Sequence, residues 1–104
     1  MYRGGFVYIM TNKNKSVLYI GVTSDLKGRI LKHRTHLYKK SFSDKYNAEY
    51  LIYYEGFDNI VEAIKREKQM KKWNRAKKEN LIITKNPEKR DVFEEVMNNV
   101  YSLL

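Results

Sequence analysis

Residues 60–73 carry apolar side chains at helical spacing, and a carboxylate stands in the middle of them. At about 100° per residue, Ile60, Ala63, Ile64 and Met70 share one stripe. Glu67 projects from that stripe, within about 20° of Ile60 on the same wheel. The segment reads as a helix laid against an apolar layer, and Glu67 goes in with it. A carboxylate aimed at a protein interior must be paired, protonated or bound to a metal. Lys71, one turn on, offers the plainest partner.

The layer beneath that helix follows from periodicity. Residues 6–11 and 17–22 are β-rich, and Asn12-Lys13-Asn14-Lys15 between them reads as a hairpin loop. Ser24 or Asp25 can cap a helix that carries Leu26, Ile30 and Leu37 on one face. Residues 38–47 are polar and basic without a period, hence a loop. Residues 49–55 make a third strand ended by Gly56, and Asn59 with Glu62 starts the Glu67 helix. A short helix covers 75–83 and stops before Asn86-Pro87. The tail carries Val92, Val96 and Val100 beside Phe93, Met97, Tyr101 and Leu104, an apolar stripe on a last helix. The expectation is one α+β domain over 1–104, a three-stranded antiparallel sheet flanked by helices, with its core at about 4–87 and an amphipathic helix at about 88–103.

Composition removes several functions. A chain of 104 residues without cysteine has no disulfide framework, no thiolate zinc site and no thiol nucleophile. The apolar run 6–10 is too short for a signal sequence or a membrane span, so a cytoplasmic protein with no membrane role is expected. The net charge is +9, and eight of the fourteen residues from Lys65 to Lys78 are basic. A second basic cluster runs from Lys27 to Lys40. Such concentration fits a polyanion footprint, with nucleic acid the default partner and Lys71, Lys72, Arg75, Lys77 and Lys78 its contacts. A solvated, solubility-giving surface is the plainer alternative.

Several polar residues converge on the predicted sheet. If the hairpin pairs Thr11 with Ser16, Tyr8 falls opposite Tyr19, and Gly21 lies two residues on along the same face. Gly21 lacks a side chain, so something can approach the backbone there. Arg29 and His33, four apart on the first helix, turn toward the same face. Taken singly, Tyr8 and Tyr19 would be a core aromatic pair, His33 a hydrogen-bonded core-edge residue and Trp73 a core plug.

Taken together, Phe6-Val7-Tyr8, Leu18-Tyr19-Ile20-Gly21-Val22-Thr23, Asp25-Leu26-Lys27-Gly28-Arg29, Arg66-Glu67 and Lys72-Trp73-Asn74-Arg75 follow one another in a meaningful order. The series resembles the GIY-YIG nuclease superfamily, and most closely its small stand-alone bacterial members. Phe6 stands where the first motif has glycine. The resemblance implies a βββ sheet with flanking helices and a metal-dependent phosphodiesterase site. Its enzymes include homing and restriction endonucleases and the nuclease module of the bacterial excision-repair incision protein, so the implied settings are DNA repair or recombination, a mobile element, or defence.

The resemblance also implies roles. Tyr8 is the implied general base, helped by His33 as a proton relay because a free phenol has a pKa near 10. Tyr19 would position water or phosphate, and Gly21 would leave room for the strand. Arg29 suits bidentate contact with the non-bridging oxygens. Glu67 would hold Mg²⁺, with Mn²⁺ as the alternative, and one metal is favoured over two because no carboxylate cluster is visible. Active members also carry an asparagine a dozen or so residues after the glutamate. Asn80 is the candidate, with Asn74 and Asn86 as other choices. The expected function is Mg²⁺-dependent hydrolysis of DNA with little sequence specificity. The alternatives are a nucleic-acid-binding protein without turnover, and an adaptor whose last helix binds a protein partner or a second copy.

Overall fold

The computed structural model describes residues 4–35 and 46–99. Among these residues three strands and four helices follow one another: β1 Gly5–Thr11, β2 Leu18–Thr23, α1 Leu26–Arg34, β3 Tyr50–Phe57, α2 Ile60–Lys71, α3 Arg75–Lys85 and α4 Phe93–Asn99. The sheet is antiparallel, in the order β2-β1-β3. His36, Leu37, Lys39 and Lys40 lie outside the described residues, as does most of the predicted 38–47 loop. The last helix begins at Phe93 instead of near 88, and residues 100–104 are likewise outside.

Helix boundaries follow their caps. Asp25 accepts from the Gly28 amide, Asn59 from Glu62 and Asn74 from Lys77, each satisfying one otherwise orphaned N–H of the first turn. β3 runs through Gly56 to Phe57, because its ladder with β1 continues from Gly56 opposite Phe6 to Phe57 opposite Gly5.

The central strand faces two cores. Phe6, Tyr8 and Met10 point to one side, where Leu26 and Ile30 of α1 and Val96 of α4 cover them. Val7 and Ile9 point to the other, beneath Ala63 and Met70 of α2 and Ile82 of α3. Alternation along β1 therefore reads as fully buried on both faces. Gly5 permits this closeness: a Cβ there would lie 2.9 Å from both the Ala63 methyl and the Ile60 Cα.

The hairpin register departs from expectation. Its loop holds six residues, 12–17, and pairs Thr11 with Leu18, which puts Tyr8 opposite Gly21 and Met10 opposite Tyr19. Asn12 creates the longer loop. Its Oδ1 accepts from the amides of Ser16 at 2.8 Å and Val17 at 3.2 Å, and its Nδ2 donates to Ser16 Oγ at 2.8 Å. The slip is two residues, an even number, so Tyr8, Tyr19 and Gly21 still share one face.

Candidate active site

Tyr8 sits at the centre of the middle strand, with no solvent exposure. Its ring needs room above β2, and the residue directly opposite supplies it. A Cβ on Gly21 would stand 2.4 Å from both Cζ and Oη of Tyr8. The missing side chain thus serves Tyr8's own phenol; the expectation that Gly21 leaves room for a substrate strand is corrected.

The phenol oxygen lies 3.0 Å from His33 Nε2. His33 comes from the last turn of α1, and its imidazole is 5% exposed. Tyr19 packs on both, its ring centroid 6.3 Å from that of Tyr8 and 5.3 Å from that of His33. Burial, aided by the positive charge of Arg29 one turn back, lowers the His33 pKa from 6.5 to about 4. A helix C-terminus favours an imidazolium, but loss of hydration outweighs that here. At neutral pH His33 is therefore neutral, with one N–H and one lone pair. Either tautomer closes the bond: the phenol O–H donates to Nε2, or Nε2–H donates to the phenol oxygen.

Glu67 is not on this face. Its helix, α2, belongs to the layer over Val7 and Ile9. The expected gathering of five residues over one sheet face is corrected accordingly, since the two layers meet only around an edge of the sheet. β2 provides that edge. A cavity of about 300 Å³ there is lined by Leu18, Tyr19, Ile20, Lys71 and Lys78. Tyr19 enters it from one layer and Lys71 from the other. Glu67, with its side chain 14% exposed, bonds Lys71 Nζ through Oε2 at 2.9 Å. The carboxylate is thus inward-facing as the helical pattern requires, and paired with the partner one turn away.

The donor set bears on the expected metal. Among the described residues no three His, Cys, Asp or Glu side chains gather as a metal cage. Glu67 next to the cleft offers one hard carboxylate. That fits Mg²⁺, which takes one or two carboxylates and fills its other positions with water and substrate oxygens. It does not fit a two-metal site.

The remaining expected residues divide. Lys71 and Lys78 line the cleft, and Lys72 is exposed at the C-cap of α2. Arg75 is committed elsewhere: it donates to the carbonyls of Ser16 and Lys15 at 2.7 Å each and to Glu79 at 2.9 Å, clamping the hairpin loop to α3. It is a structural tie, not a phosphate contact. Lys77 lies over the Trp73 ring at 4.5 Å, with Arg66 over the same ring at 5.1 Å. Trp73 is half-buried and joins the core beneath α2, as the plain reading of the sequence has it. Of the asparagines, Asn74 caps α3 and Asn86 is buried, donating to the Ile52 and Arg90 carbonyls. Asn80 is exposed, about 160° around α3 from Lys78, so it points away from the cleft.

One positioning contact has no signature in the sequence. Arg66 grips Glu55 of β3 at 2.9 and 3.1 Å, and the Tyr53 phenol donates to the same carboxylate at 2.5 Å. Burial alone would raise the Glu55 pKa; the bonds from Arg66 and Tyr53 outweigh it and hold the group ionised, below 4.5. This partly buried pair fixes α2 on the sheet one residue before Glu67.

Residues 4–80 match the family model of the GIY-YIG catalytic domain. A UPF0213 protein of Syntrophus aciditrophicus strain SB is 33% identical over 84 residues, covering 81% of this chain and 94% of that protein. A UPF0213 protein of Staphylococcus saprophyticus is 38% identical over 77 residues, 74% of this chain and 92% of the relative. The solution NMR structure of a UPF0213 protein from Bacillus halodurans superposes with a TM-score of 0.53 at 27% identity, covering 93% of this chain and 96% of that one. No helix among the described residues is long and apolar enough to cross a membrane.

Proposed function

The chain belongs to the GIY-YIG catalytic-domain family, and from that membership we propose that it is a Mg²⁺-dependent endonuclease hydrolysing DNA phosphodiester bonds with little sequence specificity. The observation that carries the reading is the phenol–imidazole pair of Tyr8 and His33, with Tyr19 packed on both and lining a cleft that also holds Lys71 and Lys78.

The residues divide the work as follows. Lys71 and Lys78 hold the phosphates of a strand entering the cleft, and Arg29 donates to the non-bridging oxygens as negative charge builds on phosphorus. Tyr19 orients the attacking water. That water's proton passes to the Tyr8 oxygen while the Tyr8 proton passes to the lone pair of His33 Nε2, in the tautomer that carries its N–H on Nδ1; burial makes the imidazole a weak acceptor, so the imidazolium forms only transiently. A Mg²⁺ ion held by Glu67 would supply charge neutralisation at the scissile phosphate and the leaving oxygen. Glu67 bonds Lys71 through Oε2 alone, and a carboxylate that turned to hold the ion instead would leave Lys71 to phosphate.

Nicking of supercoiled plasmid in the presence and absence of Mg²⁺ tests the reading, with Glu67→Gln as the control. The parent should nick only with metal, and the variant should lose orders of magnitude in rate while staying folded. Salt-sensitive DNA binding without any nicking would support the second reading, a binding protein without turnover. The burial of Tyr8 and the occupied Glu67 carboxylate are what favour that alternative.

A further inference from the structure

A hollow of about 210 Å³ lies at the hairpin end of the sheet on its β1–β3 side, whereas the Tyr19 cleft lies at the β2 edge. Lys13 and Lys15 of the β1–β2 loop line it on one side, Lys89 and Arg90 of the α3–α4 connection on the other. These residues are more than seventy positions apart in the chain. Beyond Lys13 the surface continues into a second hollow bordered by Asn12, Tyr46 and Asn47.

The two basic segments are built alike. In each, an asparagine carbonyl accepts from the amide of a lysine three residues on: Lys15 to Asn12, and Lys89 to Asn86, both at 3.0 Å. In each, the asparagine Oδ1 accepts from the next amide, Ser16 at 2.8 Å and Arg90 at 3.2 Å. In each, the lysine takes the left-handed backbone conformation, φ 59° at Lys15 and φ 51° at Lys89. Among the described residues the third non-glycine residue with positive φ is Asn47, φ 55°, which borders the adjoining hollow. Lysine is strained in that conformation, where glycine or asparagine would sit more easily. Its use at both turns needs a reason other than stability.

Charge supplies the reason. The one carboxylate on the hollow, Asp91, is committed: Oδ2 bonds Arg34 at 2.7 Å, and Oδ1 accepts from the amides of Leu51 and Phe93. Glu79 balances Arg75 and Lys89. Lys13, Lys15 and Arg90 have no carboxylate partner among the described residues and are exposed. The loop presenting the first two is held rigid by Asn12 and by the Arg75 clamp, so little ordering is left to be done on binding.

We propose that this hollow is a second nucleic-acid backbone site, taking phosphates of the strand whose scissile bond lies in the Tyr19 cleft. The proposal rests on the nuclease reading and adds to it a footprint and a direction, across the strands at the hairpin end of the sheet from the β2 edge toward β3. Leu18 of the cleft pairs with Thr11, and Thr11 with Tyr50, both on the hollow, so the two sites are level along β1 and separated across the sheet by up to two strand spacings, about 10 Å. At about 3.4 Å of duplex axis per phosphate of one strand, the two sites are about three nucleotides apart.

Fluorescence anisotropy of a short labelled DNA duplex over a KCl series tests it, using the full chain with Lys13→Gln, Lys15→Asn and Arg90→Gln combined. Asparagine at 15 keeps the left-handed turn, and thermal melting checks the fold. Each lost phosphate contact lowers the slope of log K against log salt by about 0.9, so the combined variant should lose about 2 to 3 in slope and on the order of 10²-fold in affinity at 0.1 M salt. Parent-like slope and affinity, with Lys71→Ala and Lys78→Ala still weakening binding, would make the hollow a merely solvated surface. A parent chain without salt-dependent duplex binding would remove the nucleic-acid reading altogether, and the hollow with it.

Discussion

Gly21 stands directly across the β1–β2 ladder from Tyr8, and the Tyr8 ring occupies the volume a Gly21 side chain would fill. The glycine of the second motif therefore acts on the tyrosine of the first. Its absent methyl lets the phenol lie flat over β2 and reach His33. Gly21→Ala should move the Tyr8 ring, break the 3.0 Å bond and destabilise the fold by about 1–3 kcal/mol, as overpacking of a tight core does. Urea melts of parent and variant measure the energy. An unchanged midpoint would mean that the ring has somewhere else to go.

His33 makes stability depend on pH. Its folded pKa of about 4 lies below the ordinary 6.5, so the unfolded chain binds the extra proton between those values. The neutral imidazole's contribution is complete above pH about 6.5 and disappears as pH falls through about 4, up to about 3 kcal/mol in all. Unfolding measured at several pH values should show this loss, and His33→Gln should remove most of it. Titration of the imidazole by NMR with a midpoint near 6.5 would contradict the burial argument.

Substitution of the two phenols separates chemistry from architecture. Tyr8→Phe should reduce cleavage by about 10²- to 10⁴-fold or more, the usual range of a general base, while the fold persists. His33→Ala should leave a residual rate that climbs with pH as hydroxide and ionised phenol replace the relay. Because Tyr8 is buried and Tyr19 lines the cleft, Tyr19→Phe is the decisive comparison. Near-parent cleavage by Tyr8→Phe, with loss in Tyr19→Phe, would transfer the base role to Tyr19 and leave Tyr8 as its packing partner.

Asp91 ties the tail to the site-bearing helix. It accepts from Arg34 of α1, from the Leu51 amide of β3 and from the Phe93 amide that begins α4. Arg34 also lies 4.1 Å over the Phe93 ring. Asp91→Ala strips all three donors of their acceptor and should cost about 2–3 kcal/mol in a chemical melt. Asp91→Asn keeps an acceptor oxygen and should recover roughly half. If Asp91→Ala melts like the parent, water has replaced the carboxylate and the tie is weak.

Sequence by itself determined the elements and much of the chemistry, because these rest on local rules. Asp25, Asn59 and Asn74 announce their helices through caps closed within three residues. The stripe of Ile60, Ala63 and Met70 buries α2, and Glu67 with it, because helical geometry leaves no other side for them. Alternation also put Tyr8, Tyr19 and Gly21 on one face, and that survived a change of register because the slip was even. What crosses between elements was decided only by the tertiary structure. The length of the hairpin loop depends on Asn12 reaching Ser16 and Val17, and with it the choice of Gly21 as Tyr8's opposite. Whether α2 covers the same face as α1 depends on the path of the chain after β3, and no local pattern encodes that path. Arg75 looked like one more cation in a basic run until its two carbonyl acceptors lay almost sixty residues away. The twin asparagine–lysine turns were written in the sequence throughout, but only folding put them on opposite sides of one hollow.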